Sequence, residues 1–166
     1  EELQARVIPN MQALQSAARQ AGVEVLYTTN ESLTLDGRDR TLDIKITGFN
    51  NPKGSWDGKV IEEIAPQGDE IVLPKSSSSV FVSTHIDYLL RNLGVRQLAI
   101  SGLLTDQCVE SAIRDACDLG YLVTQVTDAC LTHTQERHDN SLSAIKGYCR
   151  QATTREVIAE LSAAAE

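Results

Sequence analysis

The sequence predicts an α/β domain built as a doubly wound, mostly parallel sheet of about six strands with helices on both faces, a three-layer α/β/α arrangement. Three observations predict it. Short apolar, β-branched segments alternate with longer segments of helical period. The strand segments lack strict polar alternation, as expected of parallel strands covered on both faces. Glycines stand where the helices should stop, at Gly22, Gly94 and Gly120.

The elements follow in order. Within residues 3–21 the apolar positions Leu3, Val7, Met11, Leu14 and Ala18 recur at three- and four-residue steps, which predicts a helix. Residues 23–29 (VEVLYTT) read as a buried strand. Residues 30–68 are polar and irregular, with turn signals at Asp36-Gly37, Asn50-Asn51-Pro52 and Lys53-Gly54 and a helical stretch at 59–64. A loop of this length is usually functional. Strands are then predicted at 70–73, 97–101 and 121–127, and helices at 84–92, 107–119 and 135–148, with a last one from Arg155. Thr153 and Glu156 have the spacing of a capping box at its start. No repeat or linker divides residues 1–166, so one domain is expected. A doubly wound sheet is entered through a strand at its centre, whereas this chain opens on a helix. Either an N-terminal strand is missing from the sequence, or the sheet is built without it.

Composition narrows the function. At 166 residues and 42% hydrophobic content the chain can bury a core without staples. Its 15 Lys+Arg against 23 Asp+Glu give a net charge of -8, which excludes nucleic acid and anionic membranes as expected partners. No run approaches the ~18 apolar residues of a spanning helix, and EELQARV has no signal-peptide pattern. A cytoplasmic protein is expected. The cysteines Cys108, Cys117, Cys130 and Cys149 show no CxxC or metal spacing, as expected of free thiols in a reducing compartment.

In open α/β sheets ligands bind beyond the carboxyl ends of the strands. One such exit, Ser101-Gly-Leu-Leu-Thr-Asp-Gln-Cys108, puts a cysteine at a predicted helix start. The helix dipole there favours a thiolate, and the free amides suit an oxyanion. The alternative is a small buried hydrophobe, the reading given to Cys117, Cys130 and Cys149. A second exit carries Lys75 ahead of the polar run 76–79, where it either faces the thiol or is a solvated loop lysine. In the long loop, Asn30, Trp56 and Tyr27 are candidates to line a pocket, with a hydrophobic plug as the other reading of Trp56. His85, His133 and His138 lack the spacing of a helical metal pair, so no metal is expected.

The string GLLTDQCVESAIRDACDLGYLVTQVTDAC resembles the signature of the isochorismatase-like cysteine hydrolases, and KGSWDGKVIEEIAPQGDEIVLPK is most similar to the family's ureidoacrylate and biuret amidohydrolases. The resemblance implies an Asp-Lys-Cys triad acting through a thioester on a small amide or carbamoyl C–N bond, with no cofactor. It assigns Cys108 as nucleophile, Lys75 as the triad lysine, a cis peptide at Leu103-Leu104 and an oxyanion hole from the N–H groups of Leu104 and Cys108. It places Asn30, Trp56, Ser79 and Phe81 at the substrate. It also implies a homodimer or homotetramer. The family's aspartate ends a strand some two dozen residues before the helix containing Val7-Ile8-Pro9-Asn10, and no residue of this sequence occupies that position. The expectation is an amidohydrolase whose aspartate lies on the missing strand. The alternative is a non-catalytic binding protein of the same fold.

Overall fold

The computed structural model describes residues 1–164. A wide turn at Leu3–Val7 runs into helix α1 (Ile8–Gln20), with Pro9 in its first turn where no backbone donor is needed. Then come β1 (Tyr27–Asn30), α2 (Leu42–Thr47), β2 (Val72–Lys75), α3 (Val80–Ser83), α4 (Ile86–Asn92) and β3 (Gln97–Leu103). After a turn at Thr105–Val109 follow α5 (Glu110–Asp118), β4 (Leu122–Leu131), α6 (Gln135–Ile145), β5 (Arg150–Ala152) and α7 (Thr154–Ala164). All strand pairings are parallel, and the alternation of strand and helix makes this an α/β fold.

The five strands form two sheets where one of about six strands was expected. β1 pairs with β2 in the register Tyr27↔Val72 to Asn30↔Lys75, and β4 lies between β3 and β5. Among the described residues no strand covers the second edge of β1 or of β3. The consequence shows in β3, where Gln97, Ala99 and Leu103 are exposed although the strand's other edge is fully paired.

Helices cover both faces. Leu73, Val80, Leu90, Ile113, Val123 and Ile145 meet in one core, built between the strands and α3 to α6. Val7, Met11, Val126, Ala152 and Val157 form a second, between the strands and α1 and α7. The two-strand unit is tied to the rest through Arg19 of α1, whose guanidinium bonds Glu70 at 2.7 and 2.9 Å and the Tyr27 hydroxyl at 2.9 Å. That pairing, led by the hydrogen bonds from Arg19, holds the Glu70 carboxyl at about 2. Tyr27 therefore faces α1 and lines no pocket with Asn30.

Several boundaries differ from the sequence reading. β1 starts at Tyr27, not at Val23, because β2 offers partners only from Val72 and leaves Val23 46% exposed. The predicted helix 84–92 starts at Ile86 as α4, and the short helix α3 precedes it unforeseen, with Thr84 between them in extended backbone. The stretch 59–64 is replaced by single turns at Trp56–Gly58 and Glu62–Ile64. β4 runs to Leu131, and β5, three residues between two helices, has no period to read. The capping box forms as expected: the Thr153 N–H donates to Glu156 Oε2 at 2.7 Å, and the Glu156 N–H to Thr153 Oγ1 at 3.4 Å. No helix is long and apolar enough to cross a membrane among the described residues.

Candidate active site

Two strand ends meet at Cys108. Lys75 closes β2 on the face of the sheet that α3 and α5 cover, and only 4% of it is exposed. β3 leaves through Gly102, whose φ of 135° is open to glycine but not to side-chain-bearing residues, and then through a cis peptide at Leu103-Leu104. The turn at Thr105–Val109 follows, with the Leu104 carbonyl accepting from the N–H groups of Gln107 and Val109 at 3.1 and 3.2 Å. This brings the Cys108 thiol, half-buried, to the Lys75 ammonium. Lys75 Nζ donates to Cys108 Sγ at 3.2 Å and to the Ser77 carbonyl at 2.8 Å. Among the described residues no carboxylate pairs with Lys75.

The cysteine turn is clamped from behind by α6 and the end of β4. Thr105 Oγ1 and His138 Nδ1 lie 2.9 Å apart, both groups buried. Ser141 donates to Glu110 Oε2 at 2.6 Å and reaches the Thr105 carbonyl at 3.3 Å. One oxygen of Asp106 accepts from the Thr132 hydroxyl and the other from Arg137 Nε, each at 2.5 Å. These positioning residues were missed by sequence reasoning, since each pair joins positions 26 to 36 residues apart and spacing carries no trace of it. Burial lowers the pKa of His138, which keeps the ring neutral against Thr105.

The remaining thiols sit in different surroundings. Cys130 is wholly buried and its thiol is pushed up to about 12 by desolvation. Burial also raises Cys117 and Cys149. Neither has a lysine partner.

Asn30 is the register partner of Lys75, so the two side chains leave neighbouring strands on the same face. Its side-chain oxygen accepts from Arg40 Nη1 at 2.5 Å. Ser79 is buried as the N-cap of α3, accepting from the Phe81 N–H at 3.3 Å, and the Phe81 ring packs on Tyr121 with centroids 5.9 Å apart. Trp56 is 80% exposed on its turn, so it plugs nothing and is not drawn to Cys108. Clefts of about 450 and 400 Å³ are lined by other residues, the first beside α1 and the second by the loop from Leu33 to Arg38 with Lys53.

The fold recurs in known proteins. The isochorismatase-domain profile matches residues 1–157. The ureidoacrylate amidohydrolase RutB of Pantoea ananatis is 35% identical over 141 residues, which cover 75% of this chain and 56% of that protein. The chain thus spans little more than half the length of this curated relative. A cysteine hydrolase from Pseudomonas syringae superposes with a TM-score of 0.88 at 28% identity, covering 96% of this chain and 82% of that one. An N-carbamoylsarcosine amidase from Thermoplasma acidophilum gives 0.78 at 25%, covering 90% and 83%. With nearly its whole length matched by the profile and its fold shared with these enzymes, the chain belongs to the isochorismatase family of hydrolases.

Proposed function

We propose that this domain is the nucleophile-bearing part of a cysteine amidohydrolase acting on a small amide or carbamoyl C–N bond. The observation that carries the reading is the 3.2 Å contact between Lys75 Nζ and Cys108 Sγ. An ammonium at that distance is in hydrogen-bonding contact with the sulfur that would attack. The thiolate adds to the carbonyl carbon, forming the C–S bond while the carbonyl electrons move onto oxygen, where the N–H groups of Leu104 and Cys108 receive the charge. Collapse breaks the C–N bond, and the leaving nitrogen takes a proton and departs as ammonia or an amine. Water then attacks the thioester, returning the thiol and releasing an acid. The steps need no metal or cofactor.

The proton for the leaving nitrogen requires a carboxylate, and the gap between β1 and β3 is where one would arrive. A parallel strand filling that gap would cover both open edges and end beside Lys75 and Cys108. The alternative, a binding protein without turnover, draws on the missing carboxylate. One experiment separates them: ammonia release from a panel of ureido and carbamoyl amides, measured on this chain and on a longer polypeptide with an Asp-bearing strand ahead of Glu1. Turnover by the longer form, lost in Cys108→Ala with a trapped acyl adduct absent by intact mass, supports the hydrolase. Turnover that survives Cys108→Ala refutes it.

A further inference from the structure

Two of the four thiols meet at the end of α5 remote from the nucleophile. Cys117 stands in the last turn of α5, and Cys149 lies between α6 and β5. Cys117 Sγ donates to the Tyr148 carbonyl at 3.3 Å, and Cys149 is the next residue along the chain. The peptide joining them is trans, and in a planar trans peptide the carbonyl oxygen lies about 2.8 Å from the following Cα. The Cys117 sulfur is therefore no more than about 6 Å from the Cys149 Cα. Both side chains pack on the same core, the one between the strands and α3 to α6, so they point into one layer and not to opposite faces.

The turn that carries Cys149 is pinned to the helix. The N–H groups of Tyr148 and Cys149 both donate to the Ile145 carbonyl, at 2.8 and 3.3 Å. One turn before Cys117, the Arg114 guanidinium lies 4.7 Å from the centroid of the Tyr148 ring, and Arg114 is held in turn by Glu110 at 2.8 Å. The two cysteines thus keep their places without a bond between them. Neither takes part in the chemistry at Cys108. Both are half-buried and free, open to a small molecule in a way that the sealed Cys130 is not. Burial raises both thiols, and the Cys117 thiol raises Cys149 further, as two like charges brought together would.

We propose that Cys117 and Cys149 form a disulfide-exchange site, a pair that closes into an intramolecular bridge when the protein meets a small-molecule disulfide. One thiolate attacks a sulfur of the small disulfide, forming a mixed disulfide and expelling one small thiolate. The second cysteine then attacks the protein-side sulfur, breaking the mixed disulfide and expelling the other. The pair loses two electrons and two protons, and the small disulfide becomes two thiols. The bridge fastens the end of α5 to the start of β5 and limits the freedom of the unfolded chain between them. It stands independently of the amidohydrolase reading, since neither sulfur touches Lys75 or Cys108.

Equilibration of the unsubstituted protein in glutathione buffers of rising oxidised fraction, followed by acid quenching, intact mass and peptide mapping, tests it. The expected result is a loss of two hydrogens, with Cys117 and Cys149 in one linked pair of peptides and both thiols restored by dithiothreitol. The oxidised protein should melt higher by roughly 5–10 °C. Cys117→Ser and Cys149→Ser should each abolish both changes, whereas Cys108→Ser should abolish neither. Mapping of the unsubstituted protein decides the pairing even where a variant fails to fold. Glutathione adducts at Cys117 and Cys149 without a bridge, a bridge to Cys108 or Cys130, a bridge equally favoured in denaturing urea, or one that lowers the melting temperature would each overturn the proposal.

Discussion

The two sheets of this domain are built on different terms. The unit β3–β4–β5 has helices over both faces and a core on each, whereas β1–β2 carries the long irregular segment and meets the rest through α1 and α3. Cys108 belongs to the first unit and Lys75 to the second. What the difference teaches is that the contact between them depends on registry between a well-packed unit and a lightly packed one, so insults to either should have distinguishable signatures.

The largest effect is expected at the junction itself. Cys108→Ala should lower turnover of the longer polypeptide by roughly 10⁴-fold or more, as loss of a covalent nucleophile does, with the melting temperature unchanged. In the unsubstituted protein iodoacetamide should label Cys108 ahead of Cys117, Cys130 and Cys149, as peptide mapping would report. Faster labelling of any other thiol would break the comparison at its centre.

Next comes the well-packed unit. Ile113 has no exposed surface in the core beneath Cys108, and Ile113→Ala should cost about 2–5 kcal/mol in denaturant unfolding. Gly37→Ala probes the other unit. Its φ is 69°, and an added Cβ would come within 2.9 Å of Asn50 Oδ1, the acceptor that fixes Ser32 beneath Arg40. Turnover by the longer polypeptide should suffer by more than global stability, a contrast that an ammonia-release assay beside thermal melting can read.

Acid should separate the units. Glu70 titrates near 2 in the fold against an ordinary 4.5, so its bond to Arg19 contributes stability above about pH 4.5 that is lost as pH falls towards 2. His138 behaves in the same sense at higher pH. Its folded pKa lies below the ordinary 6.5, so the native state resists protonation and stability declines as pH drops below that value. Hydrogen exchange should therefore report the cysteine turn loosening first and β1 loosening later. Glu70→Gln should remove the later phase alone. The smallest effect is assigned to the exposed pair Arg150–Glu160: Glu160→Ala should leave the thermal melting curve essentially where it is, because solvent screens the pair.

How much of this was legible in the sequence follows from distance along the chain. Helix periods, glycine stops and the capping box are local, and each of them could be read. Cys108 and Lys75 were nominated because strand ends are where open α/β sheets do chemistry, a rule that needs only element order. The meeting of Cys117 with Cys149 and the part played by His138 escaped notice because each depends on a partner, and that is decided by folding. Trp56 shows another limit: composition singles out the one tryptophan, but its exposure on a turn is decided by folding. The division into two sheets was not legible, because which strand pairs with which is settled across the chain and leaves no local period.

Val7 and Met11, near the start of the chain, share a core with Val157, near its end. During synthesis the apolar stripe of α1 therefore leaves the ribosome long before the surface that will cover it exists. Until α7 emerges, that stripe must remain in water or be shielded by a chaperone, and every truncation that removes α7 returns the protein to that state. The domain should consequently complete its packing only once α7 has emerged, not strand by strand as it is made.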